Sequence, residues 1–231
     1  MPACVAVKKG SFYTRLSARG QYSNAWKAMN NHYQQTTFIL GTPDSRQAPT
    51  DSGAEVAFAG RSNAGKSSAL NVITGQRSLA RISKAPGRTR EINFFQVRDG
   101  LRLVDLPGYG YAKVSKSMKG QWQRNIARYL ETRQSLCGVI LLMDIRHPFK
   151  DTDQQVLRWC HAAELPTHVL LTKADKLKRG PAKSTLLQVR KQLPQWHPQA
   201  CVQLFSAHTK EGIDEVQQVL DQWLGLENPR P

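Results

Sequence analysis

One loop of the sequence has residue types and spacing that suit the binding of a phosphate chain. Its eight residues match the pattern GxxxxGK[ST] between a predicted strand and a predicted helix: Gly60, Arg61, Ser62, Asn63, Ala64, Gly65, Lys66 and Ser67. Glycines let successive main-chain N–H groups point inward, and the following helix adds its positive N-terminal end. We expect Lys66 to bridge the β and γ phosphates and the Ser67 hydroxyl to ligate Mg²⁺ at the same oxygens.

A second motif could identify the base of a nucleotide. Its residues follow a predicted strand directly: Thr172, Lys173, Ala174 and Asp175. Ligands of open α/β sheets bind beyond the carboxyl ends of the strands, where the Asp175 carboxylate can accept hydrogen bonds from guanine N1–H and its exocyclic amine. Adenine lacks this pair of donors, and a buried acceptor without its partner is costly. The motif therefore predicts GTP and GDP rather than ATP as ligands, with the Lys173 stem along the base.

A third motif is predicted to respond to the γ phosphate. It also follows a strand and consists of Asp105, Leu106, Pro107 and Gly108. Asp105 can hold Mg²⁺ through a water, and the Gly108 N–H can reach the γ phosphate because glycine allows a close approach of the backbone. Read alone the motif is a common turn, but its position between the first two motifs indicates a sensor of the nucleotide state.

Two further segments complete the predicted site. One ends a polar stretch that begins at Ser83 and consists of Gly87, Arg88, Thr89, Arg90 and Glu91. Thr89 is expected to be a second Mg²⁺ ligand that docks only when the γ phosphate is present, with Ser83 as the weaker candidate. The other follows the last predicted strand, where its backbone N–H groups can meet guanine O6, and consists of Phe205, Ser206 and Ala207.

The residues available for hydrolysis suggest slow intrinsic turnover. Many regulatory GTPases carry a glutamine directly after DxxG to orient the attacking water, whereas this sequence has Tyr109 there. The catalytic candidates are Lys66, Thr89 and Asn63. Asn63, in the middle of the loop, resembles in position the K⁺ ligand of potassium-activated GTPases, where the cation replaces an arginine finger, and this resemblance implies K⁺ as a further cofactor. Capping of the loop is the alternative role for Asn63.

The elements that must position these motifs are short apolar runs alternating with amphipathic stretches, which is typical of repeated βα units. The predicted strands are Glu55–Ala59, Ile92–Val97, Leu101–Asp105, Val139–Asp144, His168–Thr172 and Val202–Ser206. Residues 98–100 are too few for a crossover, so the second and third strands form a hairpin and one edge strand runs antiparallel. We predict an α/β P-loop NTPase fold, a G domain, with a mixed, mainly parallel six-stranded sheet and helices on both faces.

Length and composition are compatible with this fold. The chain has 231 residues, 40% hydrophobic and 22% charged, which excludes a disordered or collagenous protein. No apolar run approaches the roughly 20 residues of a membrane span, so we expect no membrane insertion. Four scattered cysteines without a CxxC argue against a zinc site and a disulfide framework and favour a reducing cytoplasm.

The domain limits follow from these patterns. Residues 1–28 carry five basic and no acidic residues and form a basic leader, followed by a connecting segment 29–53, the G domain 54–226 and a tail 227–231. A start of translation at Met29 behind an upstream extension, a solvated RNA-binding arm and an organellar transit peptide are the three interpretations of the leader. Without the leader the net charge falls from +16 to +11, so the folded part is basic as well.

The basic residues near the motifs indicate a polyanionic partner. One group follows DxxG and comprises Lys113, Lys116, Lys119, Arg124, Arg128 and Arg133; the other flanks the base motif and comprises Lys176, Lys178, Arg179, Lys183, Arg190 and Lys191. An rRNA-facing surface and ordinary solvated helix faces are the two interpretations. Tyr109, Tyr111 and Trp122 could stack on bases or pack within the switch.

The motifs together resemble those of the EngB family of ribosome-biogenesis GTP-binding proteins. The resemblance covers about residues 33–224 and is carried by GRSNAGKSS, PGRT, INFF, VDLPGYGYA, LMDIRHP and LLTKADK. It implies GTP hydrolysis, assembly of the large ribosomal subunit with its precursor and rRNA as partners, and a requirement for normal cell division and septation. A monomer is expected, since no long heptad repeat is present. A guanine-nucleotide binding module with negligible hydrolysis, and a P-loop kinase or ATPase, are the alternatives.

Overall fold

The computed structural model describes residues 30–80, 91–109 and 116–226, except for the side chains of residues 30, 31, 116–119, 121 and 122. The strands are β1 (Thr37–Thr42), β2 (Ala54–Gly60), β3 (Ile92–Arg98), β4 (Leu101–Asp105), β5 (Leu136–Asp144), β6 (Thr167–Thr172) and β7 (Cys201–Leu204). The α-helices are α1 (Lys66–Ile73), α2 (Lys116–Thr132), α3 (Asp151–Ala162), α4 (Arg179–Gln192) and α5 (Ile213–Leu224). Short 3₁₀ helices cover Asn30–Gln35, Ser45–Gln47, Ala174–Lys176 and Leu193–Gln195.

The strands form one mixed sheet in the order β1-β3-β4-β2-β5-β6-β7. The prediction of an α/β, mainly parallel sheet is confirmed, but the sheet has seven strands rather than six. The prediction that the hairpin strand β3 lies at the edge is wrong, because β1 pairs with it antiparallel from Thr37 opposite Gln96 to Thr42 opposite Ile92. Among the strands of the described residues, β3 alone runs antiparallel to the others. The segment 29–53, predicted to connect, thus contributes the edge strand of the sheet.

Alternating side chains along the buried strands supply two hydrophobic cores, one on each face of the sheet. In β2, Val56 and Phe58 point to one face, where they pack with residues of α1 and α5. Ala57 and Ala59 point to the other face, where α2, α3 and α4 supply the covering side chains. Trp159 and Trp223 are half-buried against these cores. Helices on both faces make the central strands rigid supports for the loops that follow them.

The parallel strands all end at the same edge of the sheet, and four predicted site segments follow them there. Gly60 ends β2, Asp105 ends β4, Thr172 ends β6 and Phe205 follows β7. The strand pairing fixes these ends relative to one another, since β2 lies between β4 and β5, and β6 lies between β5 and β7. None of the helices in the described part of the chain has both the length and the hydropathy that a membrane crossing requires.

Candidate nucleotide-binding site

The phosphate loop connects β2 to α1 through a tight turn. Asn63 and Gly65 have φ values of 63° and 94°, in the left-handed region that glycine adopts readily and asparagine tolerates. The Ala64 N–H donates to the Arg61 oxygen at 2.9 Å, which closes the turn. Gly65 directly precedes α1, so Lys66 and Ser67 are the first two residues of that helix. The positive N-terminal end of α1 therefore adjoins the loop, as phosphate binding requires.

Lys66 and Asp105 form an ion pair across the site. Both side chains are largely buried, and they arrive from different elements, the start of α1 and the end of β4. The pair brings the residue expected at the phosphates next to the residue expected at the metal. Ser67 is the next residue of α1 after Lys66, so the sequence supplies a hydroxyl directly after the lysine that pairs with Asp105.

These oxygen donors fit Mg²⁺, which is usually bound through one or two protein oxygens together with substrate phosphates and water. The described residues contain no cluster of three or more His, Cys, Asp or Glu side chains that could hold a metal by themselves. The third predicted ligand, Thr89, lies outside the described residues, as do Gly87, Arg88, Arg90 and Ser83. Glu91 is described and lies exposed just before β3. Only the Ser67 and Asp105 part of the predicted metal site is therefore in view.

The DxxG segment packs directly on the phosphate loop. The Leu106 N–H donates to the Phe58 oxygen at 3.0 Å, which extends the pairing of β4 with β2. Pro107 is buried, and Gly108 approaches the loop so closely that a Cβ there would lie 3.3 Å from the Ser62 Cα and N atoms. That distance is tighter than most Cβ contacts, so the close approach of the two backbones favours glycine at this position.

Tyr109 turns away from the phosphate loop and into the core. Its side chain is 3% exposed, and its hydroxyl donates to Asp153 Oδ1 at 3.0 Å. Of the two predicted roles, packing is therefore right for Tyr109 and stacking on a base is wrong. Tyr111 and the Trp122 side chain lie outside the described residues. Burial raises the pKa of Tyr109 well above its ordinary value, so the hydroxyl keeps its proton and remains a donor.

The base motif is organised around Asp175. Its Oδ1 accepts a hydrogen bond from the Ser206 hydroxyl at 2.7 Å, and this bond lowers the pKa of the carboxyl group. The Ala174 N–H donates to the Phe205 oxygen at 3.1 Å, so the two predicted base-contacting segments are joined. The Ser206 N–H donates to the Glu211 oxygen at 3.0 Å. Of the amides expected at guanine O6, that of Ala207 is therefore the remaining candidate.

Lys173 links the base motif to the phosphate loop. Its ammonium donates to the Asn63 main-chain oxygen at 2.7 Å and lies 3.0 Å from an Asp144 carboxylate oxygen. The Thr172 hydroxyl donates to the Ala64 oxygen at 2.6 Å, which adds a second tie to the same loop. The site thus contains the phosphate loop and the base motif as one connected unit.

Asp144 is a site residue that the sequence analysis missed. Burial favours its neutral form, but hydrogen bonds from Arg146 and Lys173 outweigh burial and hold the pKa of Asp144 below its ordinary value. The Arg146 guanidinium contacts it through Nε at 2.9 Å and Nη2 at 2.6 Å. An acidic residue that ends an apolar strand at the edge where the other motifs lie was the available signal. His147 is exposed three residues beyond the same strand end.

One residue assigned to the basic surface lies elsewhere. Arg133 is largely buried and donates to Glu55 Oε2 and Oε1 at 2.9 and 2.7 Å, beyond the opposite end of β2 from the phosphate loop. Arg124 and Arg128 are exposed on α2. Residue 113 and the side chains of Lys116 and Lys119 are outside the described part. The basic residues on and before α4 are all exposed or half-exposed.

Comparisons with known proteins agree with this geometry. The family described as 50S ribosome-binding GTPase matches residues 55–173. The probable GTP-binding protein EngB of Escherichia coli K12 is 55% identical over 200 residues, which cover 87% of this chain and 95% of that protein. Identity at this level over nearly the whole relative places the chain among GTPases and excludes a P-loop kinase or ATPase.

Two solved structures share the fold at lower identity. A crystal structure of a probable GTP-binding protein EngB matches with a TM-score of 0.60 and 20% identity, covering 75% of this chain and 100% of that chain. The structure of Era in complex with MgGDPNP and nucleotides 1506–1542 of 16S ribosomal RNA matches with a TM-score of 0.57 and 22% identity, covering 78% of this chain and 59% of that chain.

Proposed function

The chain belongs to the EngB family of GTP-binding proteins, and from this premise we propose that it is a GTPase switch in the assembly of the large ribosomal subunit. In this proposal the GTP-bound protein binds a large-subunit precursor through rRNA and leaves after hydrolysis. The observation that carries the nucleotide part is the convergence of Lys66, Asp105, Lys173 and Asp175 at one edge of the sheet. The description of the matching family, 50S ribosome-binding GTPase, supports the ribosomal part.

In the proposed complex each segment contacts one part of GTP. Amides of residues 60–67 and the Lys66 ammonium bind the β and γ phosphates, while Asp175 pairs with the guanine edge. Ser67 and Asp105 would hold Mg²⁺, with Thr89 as the further proposed ligand. When bound, the ion would neutralise charge on the phosphate oxygens. The Gly108 N–H would contact the γ phosphate and so distinguish GTP from GDP.

The surface proposed to meet RNA is helix α4. Its 14 residues contain no acidic side chain, and it begins directly after the base motif. The exposed basic residues of this basic surface are Lys178, Arg179, Lys183, Arg190 and Lys191. Within the described part of the chain, none of these five forms an ion pair, so their charge is available to a polyanion. Exposed Lys and Arg side chains on a helix that has no acidic residues can bind the phosphate backbone of RNA.

An rRNA partner also fits what related folds bind. The structure of Era, which shares this fold, contains a fragment of 16S ribosomal RNA. The chain of the present protein carries a net charge of +16. A cytoplasmic location and a monomeric state are part of the proposal, because ribosome assembly takes place in the bacterial cytoplasm and one G domain suffices for a switch. The requirement in division and septation stays a prediction, to be checked by depleting the protein and scoring septa.

The test measures binding of the purified protein to large-subunit precursors with GTP, a non-hydrolysable GTP analogue and GDP, at two salt concentrations. We expect tighter binding with the triphosphates, affinity that falls with salt, and faster GTP hydrolysis on the particle. The variant Lys183→Glu/Arg190→Glu/Lys191→Glu should lose particle binding while keeping its affinity for GTP.

A matched control separates the basic surface from overall charge. Arg77→Glu/Arg98→Glu/Arg158→Glu changes the net charge by the same amount at exposed residues outside α4. Equal loss in both triple variants would mean that only overall charge matters. No stimulation of hydrolysis by any ribosomal particle would support a binding module in which the nucleotide only reports the state of the cell.

Potassium is the remaining proposed cofactor. Asn63 is exposed in the phosphate loop, and its main-chain oxygen is already held by Lys173. Its side-chain oxygen would therefore be the donor for K⁺. Single-turnover hydrolysis in KCl should exceed that in NaCl at equal ionic strength, and equal rates would leave Asn63 with the role of capping the loop.

A further inference from the structure

A buried hydrogen bond joins the γ-phosphate sensor to helix α3. The Tyr109 hydroxyl donates to Asp153 Oδ1 at 3.0 Å, and the two residues are 3% and 1% exposed. Tyr109 directly follows Gly108, the glycine whose N–H is proposed to contact the γ phosphate. The bond thus connects the core of the protein to the residue adjacent to the sensor.

Asp153 is held in place by the start of its own helix. It is the third residue of α3, and its Oδ2 accepts a hydrogen bond from the Lys150 N–H at 3.1 Å, in a capping arrangement. The helix follows β5 and packs through Val156, Leu157 and Cys160 in the same hydrophobic core as Tyr109. Both carboxylate oxygens are therefore engaged, one by the helix start and one by Tyr109.

The main chain of Tyr109 is attached to the phosphate loop. Its carbonyl oxygen accepts a hydrogen bond from the Ser62 N–H at 2.8 Å, and its N–H donates to the Gly60 oxygen at 3.4 Å. Residue 109 is thus fixed from two sides, to the loop by its backbone and to α3 by its hydroxyl. Gly108 lies between this point and the end of β4, in contact with Ser62.

We propose that Asp153 is a positioning residue for GTP hydrolysis: by binding the Tyr109 hydroxyl, it holds Gly108 and its N–H at the place where the γ phosphate must lie. The contribution of an amide to the transition state depends on its exact placement, and small displacements cost rate steeply. The residue that follows DxxG is therefore used here as an anchor in the core rather than to orient water. This inference rests on GTP hydrolysis itself and not on the ribosomal part of the proposed function.

The test compares wild type with Tyr109→Phe, Asp153→Asn and the double variant in single-turnover hydrolysis without ribosomal particles. Tyr109→Phe keeps the ring and removes only the donor, and Asp153→Asn keeps the side-chain volume. We expect each single change to lower the rate on the order of tenfold, as for the loss of one positioning contact. The double variant should be no slower than the slower single variant, because the same bond is lost. The Kd for GDP should stay within about twofold, since GDP has no γ phosphate for Gly108 to contact.

The matched control is a second buried tyrosine–aspartate bond far from the site. The Tyr33 hydroxyl donates to Asp221 Oδ1 at 2.7 Å, between the N-terminal 3₁₀ helix and α5. Tyr33→Phe should leave the hydrolysis rate unchanged. Wild-type rates in Tyr109→Phe or Asp153→Asn, additive losses in the double variant, GDP affinity falling in parallel with the rate, or an equal loss in Tyr33→Phe would each overturn the proposal. These assays use no RNA, so their outcome is independent of the basic surface.

Discussion

The ammonium group of Lys173 lies 2.7 Å from the main-chain oxygen of Asn63, so the segment proposed to recognise the base also holds the phosphate loop. The Thr172 hydroxyl makes a parallel tie to Ala64. The base motif and the phosphate loop are therefore held together by the same contacts. A substitution at Lys173 should weaken the binding of both the base and the phosphates.

We expect Lys173→Met to weaken GTP and GDP binding by a similar factor, on the order of tenfold or more for the loss of a charge-assisted hydrogen bond. Methionine keeps the apolar stem beside the base but cannot hold the Asn63 oxygen. Calorimetric titration with both nucleotides measures the effect, and Arg98→Met, exposed at the opposite end of the sheet, serves as the control. A loss confined to GTP would contradict the framework role, because the loop contacts phosphates that both nucleotides share.

The Asp175 carboxylate is expected to determine the preference for guanine over other bases. Asp175→Asn replaces one acceptor oxygen by an amide donor, which opposes the donors of guanine but complements the exocyclic oxygen of xanthine. We expect the affinity for GTP to fall by roughly 10² or more and that for xanthosine triphosphate to rise. Competition binding with GTP, xanthosine triphosphate and ATP measures this exchange. Unchanged GTP affinity would show that Asp175 does not contact the base.

Much of the site was predictable because it lies in contiguous motifs. The residues of the phosphate loop, of DxxG and of the base motif lie within a few positions of one another. Buried strands such as β5 are recognisable in the sequence as apolar runs. Strand β1 was missed because most of its side chains are partly or fully exposed, so its sequence lacks a clear alternation and its pairing with β3 determines its conformation.

The contacts missed by the sequence analysis join residues far apart in the chain. Tyr109 and Asp153 are separated by 44 positions, and no spacing rule indicates that they meet. The direction of the Tyr109 side chain depends on how α3 packs on the sheet, which follows from the whole core. Asp144 could have been predicted as the polar end of a buried strand, but its partner Lys173 lies 29 positions later, directly after β6.

The buried ion cluster at the opposite end of the sheet should matter for stability. Glu55 is 0% exposed and accepts hydrogen bonds from Arg102, Arg133 and Tyr129. Glu55→Gln removes the counter-charge of the buried Arg102 and leaves Arg133 only its longer 3.5 Å contact with Asp51. We expect the change to lower the free energy of unfolding by roughly 3–5 kcal/mol. Urea denaturation measures the loss. Arg46→Met, which breaks an exposed pair with Asp44, should leave stability unchanged, and equal effects would contradict the assigned role of burial.

Asp153 should make folding stability depend on pH in a direction set by its burial. Burial raises its pKa from 3.8 to about 6, so its contribution to stability is complete below the unfolded value and is lost as the pH rises through the folded value. Relative to Asp153→Asn, wild type should therefore lose about 3 kcal/mol between about pH 4 and pH 7. Urea denaturation of both proteins at each pH gives the difference, and the variant cancels the other titrating groups. A difference that does not change with pH would mean that Asp153 titrates in the folded protein as it does in the unfolded chain.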